Sequence, residues 1–262
     1  MLRSSAALIR SLLPHSVREQ FGAVGRFFAP SPFRELDGVA FPSIDGALVC
    51  LRNRGFQPHF AIDVGAYHGE WTRLFKTVFP RADVLMIEAL EQKREMLESV
   101  CSRLGTSVAF RVALLGATSG SKTRFVEMET GSSVYEEQSR YTRQISEKVT
   151  ITLDDLLAAE SRPVDFLKLD VQGYELEVLR GATRSLEQTQ GVLMEASLVP
   201  INQGAPLLAE VVRFMDENGF RLIDFCSQIR RKDGVLWQTD LLFVRASSPL
   251  VPDTRLTRDN WF

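Results

Sequence analysis

The chain has 262 residues, of which 45% are hydrophobic and 24% are charged, and its formal net charge is −2. This composition is typical of a globular protein with one sizeable core, and without a long run of lysine and arginine, nucleic acid is not expected as a partner. No apolar run reaches the roughly 20 residues that a membrane-spanning helix needs, and the stretch AALIRSLL, interrupted by Arg10, is too short for a secretory signal.

The first 42 or so residues differ from the rest in charge and pattern. Over residues 1–33, four arginines stand against one acid, among apolar residues at roughly helical spacing. Three interpretations remain open: a basic amphipathic segment on an anionic membrane surface, an organelle-targeting peptide, or a pair of helices docked on the core. A short helix is predicted next, with Ser43 as its N-cap and Gly55 as its end. Residues 1–55 are therefore predicted to form an N-terminal helical extension.

From residue 56 onward the pattern alternates strands and helices. Strands are predicted at 59–64, 83–88, 108–114, 165–170, 191–196, 220–225 and 240–245, and helices at 70–79, 91–104, 174–187 and 206–218. Continuous apolar strands separated by helices are typical of a parallel sheet covered on both faces. The predicted fold is a Rossmann-like, doubly wound α/β domain over residues 56–246, followed by a tail at 247–262. Its ligand is expected at the carboxyl ends of the strands.

The segment from Gly116 to Thr152 interrupts this alternation. It is rich in serine, threonine and glycine, which mark loops, and it contains the β-like stretch KVTITL. Two interpretations remain open. The segment is either a lid that carries the substrate side of a site at the carboxyl edge, or a solvated insertion.

The turn after the first predicted strand reads AIDVGAYHGEWT, with Asp63 just before Gly65 and with Gly69 before a helix. Glycine permits a tight turn and a close approach of ligand to backbone, and the helix begins with unpaired N–H groups. The spacing is not the G-x-G-x-x-G of dinucleotide sites, and a carboxylate is a poor neighbour for a diphosphate. Glu88 ends the second strand, where a carboxylate can accept two hydrogen bonds from a ribose diol. These features favour a nucleoside that carries positive charge.

These motifs resemble the S-adenosylmethionine-dependent methyltransferases, and more closely the FkbM family. The resemblance rests on FAIDVGAYHGEWT, VLMIEAL, SSVYEEQ with ITLDDLL after it, and VDFLKLDVQGYELEVLRGA, and it covers about residues 56–245. It implies a class I methyltransferase sheet of seven strands with an antiparallel last strand, and O-methylation of a sugar or another small molecule. S-adenosylmethionine would lie across the first two strand ends. The residues implied for its methionine half are Asp63, Gly65, Ala66 and Gly69, with Tyr67 in the same turn, and the residue implied for its ribose is Glu88.

The sequence departs from the family's pattern at two places. Gln172 stands where relatives carry an acid, and Tyr67-His68 stands where many relatives carry asparagine and a small or apolar residue. Both departures leave the implied fold and cofactor unchanged and weaken what is implied about the substrate.

Four side chains are candidates for the chemistry of methyl transfer, which requires alignment of the acceptor and removal of its proton. Asp170, at the end of the fourth strand, is the first candidate base, and a helix cap is the alternative. His68 is the second, or else a rim residue. Glu195 is predicted to contact substrate or to pair with a basic neighbour. Lys168 projects to the same side as Asp170 and is predicted to form an ion pair with it or with another strand-end acid; contact with an anionic substrate is the alternative.

The expected partner is a small-molecule or glycan acceptor. A cytoplasmic compartment is expected, because the three cysteines show neither disulfide nor zinc spacing. Peripheral membrane contact through the N-terminal helix would make a lipid-linked glycan the acceptor. No metal site is predicted from ligand spacing. The alternative of a divalent ion held between the strand ends at Asp170 and Glu195 is left open. The alternative function is a non-catalytic scaffold or regulator that retains the fold. A nicotinamide-dependent oxidoreductase is disfavoured, because the dinucleotide motif is missing.

Overall fold

The structure, a computed structural model, describes residues 35–36, 39–40, 42–128, 131–135, 143–253 and 255. The helix pair predicted within residues 1–33 lies outside them. The strands are β1 (Glu35–Leu36), β2 (Val39–Ala40), β3 (Phe60–Val64), β4 (Asp83–Glu88), β5 (Val108–Val112), β6 (Leu114–Leu115), β7 (Lys122–Glu127), β8 (Gln144–Ile151), β9 (Phe166–Leu169), β10 (Gly191–Ser197), β11 (Phe220–Phe225), β12 (Ile229–Arg230) and β13 (Leu236–Arg245). The helices are α1 (Ile44–Asn53), α2 (Glu70–Val78), α3 (Arg94–Leu104), α4 (Leu153–Leu156), α5 (Glu175–Arg180), α6 (Thr183–Gln188) and α7 (Leu208–Glu217).

Seven strands form the main sheet in the order β11-β13-β10-β9-β3-β4-β5, and the short β12 pairs with β13. Five neighbouring strands run parallel to one another: β10, β9, β3, β4 and β5. In contrast, β13 runs antiparallel to both β10 and β11. The chain winds outward in one direction from β3 and in the other from β9, so the switch point lies between these two strands. The Rossmann-like doubly wound fold of the class I methyltransferase type is confirmed.

Helices cover both faces of this sheet. Phe166 of β9 packs with α1, α2 and α3 on one face, and Leu167 of the same strand packs with α5, α6 and α7 on the other. Every residue of β3 and β9 is buried, as expected for central parallel strands. The predicted N-cap of α1 is confirmed, since Ser43 Oγ accepts a hydrogen bond from the N–H of Gly46. Leu51 of α1 lies in the same core as the sheet.

The single helix predicted at 174–187 is wrong, because two short helices, α5 and α6, occupy this stretch. The break falls at Gly181, where an added Cβ would lie 2.2 Å from the carbonyl oxygen of Gly116. Asp154 then caps α6, because its carboxylate accepts hydrogen bonds from the N–H groups of Arg184 and Ser185 at 2.8 and 3.0 Å. Both contacts are with the segment between β5 and β9, which local periodicity cannot indicate.

Residues 116–152 contain more regular structure than their composition indicates. β7 and β8 form an antiparallel ribbon, and β6 joins the edge of β8. The connection between β7 and β8 is described only at residues 131–135. Across the described ranges of the chain, no helix is long and apolar enough to cross a membrane.

Candidate active site

A cavity of about 220 Å³ lies at the carboxyl ends of the central strands. Its lining residues are Val64, Gly65, Tyr67, Ile87, Glu88, Ala89, Leu90, Ala113, Leu114, Leu115, Phe125, Ser132, Val134, Asp170, Val171, Gln172, Tyr174 and Val178. The cavity is at the switch point, where doubly wound sheets bind ligands. Of the ten residues proposed from the sequence, those that line it are Gly65, Tyr67, Glu88 and Asp170.

The turn after β3 contacts the turn after β9. Gly65 has a φ of +73°, and a Cβ at this position would lie 1.9 Å from the carbonyl oxygen of Asp170. Only glycine fits such a position, both for its dihedral angle and for the space. Tyr67 also has a positive φ, of 47°, and its N–H donates to Glu88 Oε2 at 2.8 Å. The backbone of the turn is thus held against the strands on both sides of β3.

Glu88 ends β4 and is buried in the wall of the cavity. Its Oε2 accepts from Tyr67, and its Oε1 accepts from the N–H of Leu90 at 2.9 Å. Burial raises the pKa of Glu88 above its ordinary value, and the backbone N–H groups oppose this rise. Each carboxylate oxygen has a second lone pair, so the side chain keeps acceptor capacity for a ligand hydroxyl.

Asp63 has no exposed surface and does not line the cavity. Thr72 Oγ1 donates to its Oδ2 at 2.7 Å, and the ammonium of Lys168 lies 3.2 Å from its Oδ1. Asp63 and Lys168 are register partners in the parallel pair of β3 and β9, which places them on the same side of the sheet. Asp63 therefore supports the turn through its contacts with Thr72 and Lys168, and it has no exposed surface with which to contact a ligand in the cavity.

Lys168 is buried and binds protein oxygens. Besides Asp63, Lys168 Nζ donates to the carbonyl oxygen of Gly65 at 3.0 Å and lies 3.7 Å from Asp170 Oδ2. Burial by itself would lower the pKa of Lys168, but the carboxylates of Asp63 and Asp170 raise it above its ordinary value. The predicted ion pair with a strand-end acid is confirmed, with Asp63 as the nearer partner.

Asp170 is the one of the four chemistry candidates that lines the cavity, and 38% of its side chain is exposed. The alternative that it caps the following helix is wrong, because the N-cap of α5 is Tyr174. Gln172 Nε2 donates to Asp170 Oδ1 at 3.0 Å.

Glu195 is buried beside Asp170 and does not line the cavity. Its Oε2 accepts from Gln172 Nε2 at 3.0 Å and from Gln238 Nε2 at 2.8 Å. Burial, followed by the nearby carboxylate of Asp170, raises the pKa of Glu195 well above its ordinary value. Its hydrogen-bond partners are amides, and its nearest basic influence is Lys168, whose charge lowers its pKa.

The other three predicted residues support the turn after β3 from outside the cavity. Ala66 is buried in the core, and Gly69 is the N-cap of α2. The ring of His68 stacks on Tyr67 with 3.8 Å between ring centroids, and its Nε2 lies 3.2 Å from Lys93 Nζ. His68 therefore contacts the cavity-lining Tyr67 and does not itself line the cavity.

Sequence reasoning did not assign the apolar wall of the cavity. Leu90 follows β4, Leu114 and Leu115 form β6, and Phe125 and Val134 come from the ribbon and its connection. The signal available was the SSVYEEQ motif, whose Ser132 and Val134 line the cavity although neither residue was given a role. Within the described residues, no three His, Cys, Asp or Glu side chains are arranged to hold a metal ion.

A sheet in this strand order, with a cavity at its switch point and the buried carboxylate of Glu88 at the end of β4, defines a nucleoside-binding fold of the class I methyltransferase type. The family model of the methyltransferase FkbM domain matches residues 63–222, which is more than half of the chain. The chain therefore belongs to the FkbM family of S-adenosylmethionine-dependent methyltransferases.

Solved structures with a similar fold include a methyltransferase FkbM from Methylobacillus flagellatus KT, with 17% identity and a TM-score of 0.49. The similarity covers 71% of this chain but only 43% of that protein, so the chain spans less than half of this relative's length. Magnesium protoporphyrin IX methyltransferase from Synechocystis PCC 6803, solved with bound SAM, has 14% identity and a TM-score of 0.46, over 87% of this chain and 95% of that one. No curated protein matches the chain.

Proposed function

We propose that this protein is an S-adenosylmethionine-dependent O-methyltransferase that acts on a hydroxyl of a sugar, a glycoconjugate or another small molecule. Membership of the FkbM family supports the reaction class. The observation that carries the proposal is that Glu88 and Asp170, which follow the strands on either side of β3, line one cavity. The carboxylate of Glu88 suits a ribose, and the carboxylate of Asp170 suits an acceptor hydroxyl.

The residues of the cavity fit the cofactor. Gly65 leaves a close approach to the backbone that a Cβ would fill, and Glu88 has acceptor capacity for the ribose hydroxyls. The side chains of Leu90, Leu114 and Leu115 offer an apolar surface for the adenine ring. When bound, the cofactor supplies an electrophilic methyl group on a sulfonium. Asp63, with its charge balanced by Lys168, contributes through the shape of the turn.

We assign Asp170 the role of binding the acceptor hydroxyl and removing its proton. Asp170 would accept the hydroxyl proton while the acceptor oxygen takes the methyl group that the cofactor would supply, and the bonding electrons would stay with the sulfur of the departing S-adenosylhomocysteine. General base catalysis of this kind contributes roughly 10²–10⁴-fold to rates. The exposed fraction of Asp170 and its place in the cavity wall support this role, and the burial of Glu195 and the position of His68 favour Asp170 over both.

The cofactor half of the proposal is tested by calorimetry with S-adenosylhomocysteine and with its 2′-deoxy form. We expect the wild type to bind the 2′-deoxy form about tenfold more weakly, because a hydrogen bond to a charged group is lost. Glu88→Ala should bind both forms equally weakly, whereas Glu95→Ala, a change at an exposed residue of α3, should behave as the wild type. Equal discrimination by the wild type and Glu88→Ala would place the ribose elsewhere.

The reaction half is tested with S-adenosylmethionine that carries a deuterated methyl group. The protein is incubated with glycan and small-metabolite fractions of a cell extract, and the products are analysed by mass spectrometry. The expected product carries the label on a hydroxyl oxygen, and Asp170→Asn should form it at least about a hundredfold more slowly. Cofactor binding without label in any fraction would favour the non-catalytic alternative. Label on nitrogen or carbon would overturn O-methylation.

A further inference from the structure

Gln172 lies in the wall of the cavity, and its backbone has a conformation that residues other than glycine rarely adopt. Its φ is +55°, in the left-handed region that favours glycine. Two side chains from other loops hold the backbone there. Ser133 Oγ and Asn202 Nδ2 each donate to the carbonyl oxygen of Gln172 at 2.8 Å. Such conformations persist only where the surroundings hold them, and they cluster at functional sites.

The side chain of Gln172 joins two carboxylates. Its Nε2 lies 3.0 Å from Asp170 Oδ1 and 3.0 Å from Glu195 Oε2. An amide nitrogen carries two hydrogens, so both are used. Oδ2 of Asp170 accepts no hydrogen bond from the described part of the chain and lies 3.7 Å from Lys168 Nζ. The amide therefore holds one oxygen of Asp170 and leaves the other one for a ligand.

A carboxylate at position 172 would change the balance of charge. It would stand about 3 Å from two further carboxylates, a separation at which they cannot all be ionised without a shared proton or a cation. An amide of the same shape avoids this requirement, because it donates to both oxygens while it stays neutral. A glutamate and a glutamine at position 172 therefore place different demands on protons and cations.

We propose that Gln172 is a positioning residue for methyl transfer: its amide holds Asp170 through Oδ1, so that Oδ2 is directed to the acceptor hydroxyl with no added proton or cation among the three side chains. This inference rests on the proposed function. Gln172 acts through Asp170 and is not itself a proton acceptor. Gln172→Glu would require a proton to be shared among three carboxyl groups, and Gln172→Ala would free Asp170 to rotate.

The first experiment needs neither cofactor nor acceptor. Carboxyl carbons of aspartate are labelled with ¹³C, the Asp170 signal is identified with Asp170→Asn, and its titration midpoint is measured by NMR. We expect the midpoint to rise by at least about one pH unit in Gln172→Glu. Gln238→Glu is the matched control, because Gln238 donates to Glu195 but not to Asp170; it should move the midpoint by less than half as much. Equal midpoints in wild type and Gln172→Glu would overturn the proposal.

The second experiment uses the fraction that accepts the labelled methyl. Gln172→Ala should lower the rate at saturating substrates at least about tenfold, with the affinity for S-adenosylhomocysteine unchanged within about twofold. The pH profile of Gln172→Glu should shift in the same direction as its NMR midpoint. Loss of rate and cofactor affinity in parallel would overturn the positioning role. If the NMR midpoint moves but no fraction is methylated, the proposed function fails while the hold on Asp170 stands.

Discussion

A buried carboxylate, Glu175, lies where β9 turns into α5. It begins α5, and its Oε1 accepts from the N–H groups of Val171 and Gly173 at 2.9 and 3.2 Å. Burial raises the pKa of Glu175 to about 7, against the opposing effect of these N–H groups. These hydrogen bonds close the turn that carries Asp170 and Gln172.

The raised pKa predicts a loss of stability as the pH increases. Below about 4.5 Glu175 is protonated in the folded and unfolded states, and its full contribution is present; between about 4.5 and 7 the unfolded state releases the proton first. The contribution lost is on the order of 3 kcal/mol. Glu175→Gln should remove this part of the pH dependence in urea unfolding, whereas Glu187→Gln, at an exposed position of α6, should not. An unchanged slope in Glu175→Gln would contradict the prediction.

At the scale of elements, Lys168 connects the two central strands at their carboxyl ends. Lys168 lies on β9, and its ammonium contacts Asp63 of β3 and the carbonyl oxygen of Gly65, which follows β3. The contacts therefore join the two strands that form the switch point. A buried ion pair of this kind fixes one relative position of the two turns, since both charges lose their water and each depends on the other. The close contact of Gly65 with Asp170 follows from this position.

Removal of one partner should therefore be strongly destabilising. Lys168→Met leaves Asp63 buried without a counter-charge, and we expect it to lower the free energy of unfolding by about 3–5 kcal/mol. The double change Lys168→Met with Asp63→Asn should recover part of this loss. Arg231→Ala, which breaks an exposed ion pair with Asp233, should cost less than about 1 kcal/mol. A Lys168→Met protein as stable as wild type would contradict the structural role.

At the scale of the whole molecule, α1 belongs to the same core as the sheet, although it precedes the segment that resembles the family. Leu51 is fully buried in the cluster that contains Phe75 and Phe166. The helix covers one face of the doubly wound sheet, which would otherwise expose apolar side chains. We therefore expect residues 44–53 to unfold together with the α/β domain.

Leu51→Ala tests this expectation. It should lower the free energy of unfolding by about 2–5 kcal/mol, since it leaves a cavity in the core, and the transitions followed by far-ultraviolet and near-ultraviolet circular dichroism should still coincide. Met96→Ala on α3, where the side chain is 45% exposed, is the matched control and should change stability by less than about 1 kcal/mol. A separate early transition in Leu51→Ala would show that α1 unfolds independently.

Most elements of the fold were predictable because their signals are local. The strand at 83–88 has the predicted bounds, and the helices after it and after β3 begin where predicted or within three residues. The break at Gly181 was not predicted; there the backbone passes close to the carbonyl oxygen of Gly116, 65 residues earlier in the chain, which only the tertiary structure shows. The same holds for the ribbon of β7 and β8, whose pairing is a contact between distant segments.

The sequence by itself determined the strands of the main sheet, the family and the presence of Glu88 and Asp170 at strand ends, because periodicity, glycine spacing and motifs act over short stretches. Only the tertiary structure decided what each charged group faces. Asp63 and Lys168 are about 100 residues apart and meet because β3 and β9 pair in one register. That register directs Asp63 into an ion pair and leaves Asp170, held by Gln172, at the cavity. The physical reason is that a strand's side chains alternate between two faces, and only the neighbouring strands determine what each face contacts.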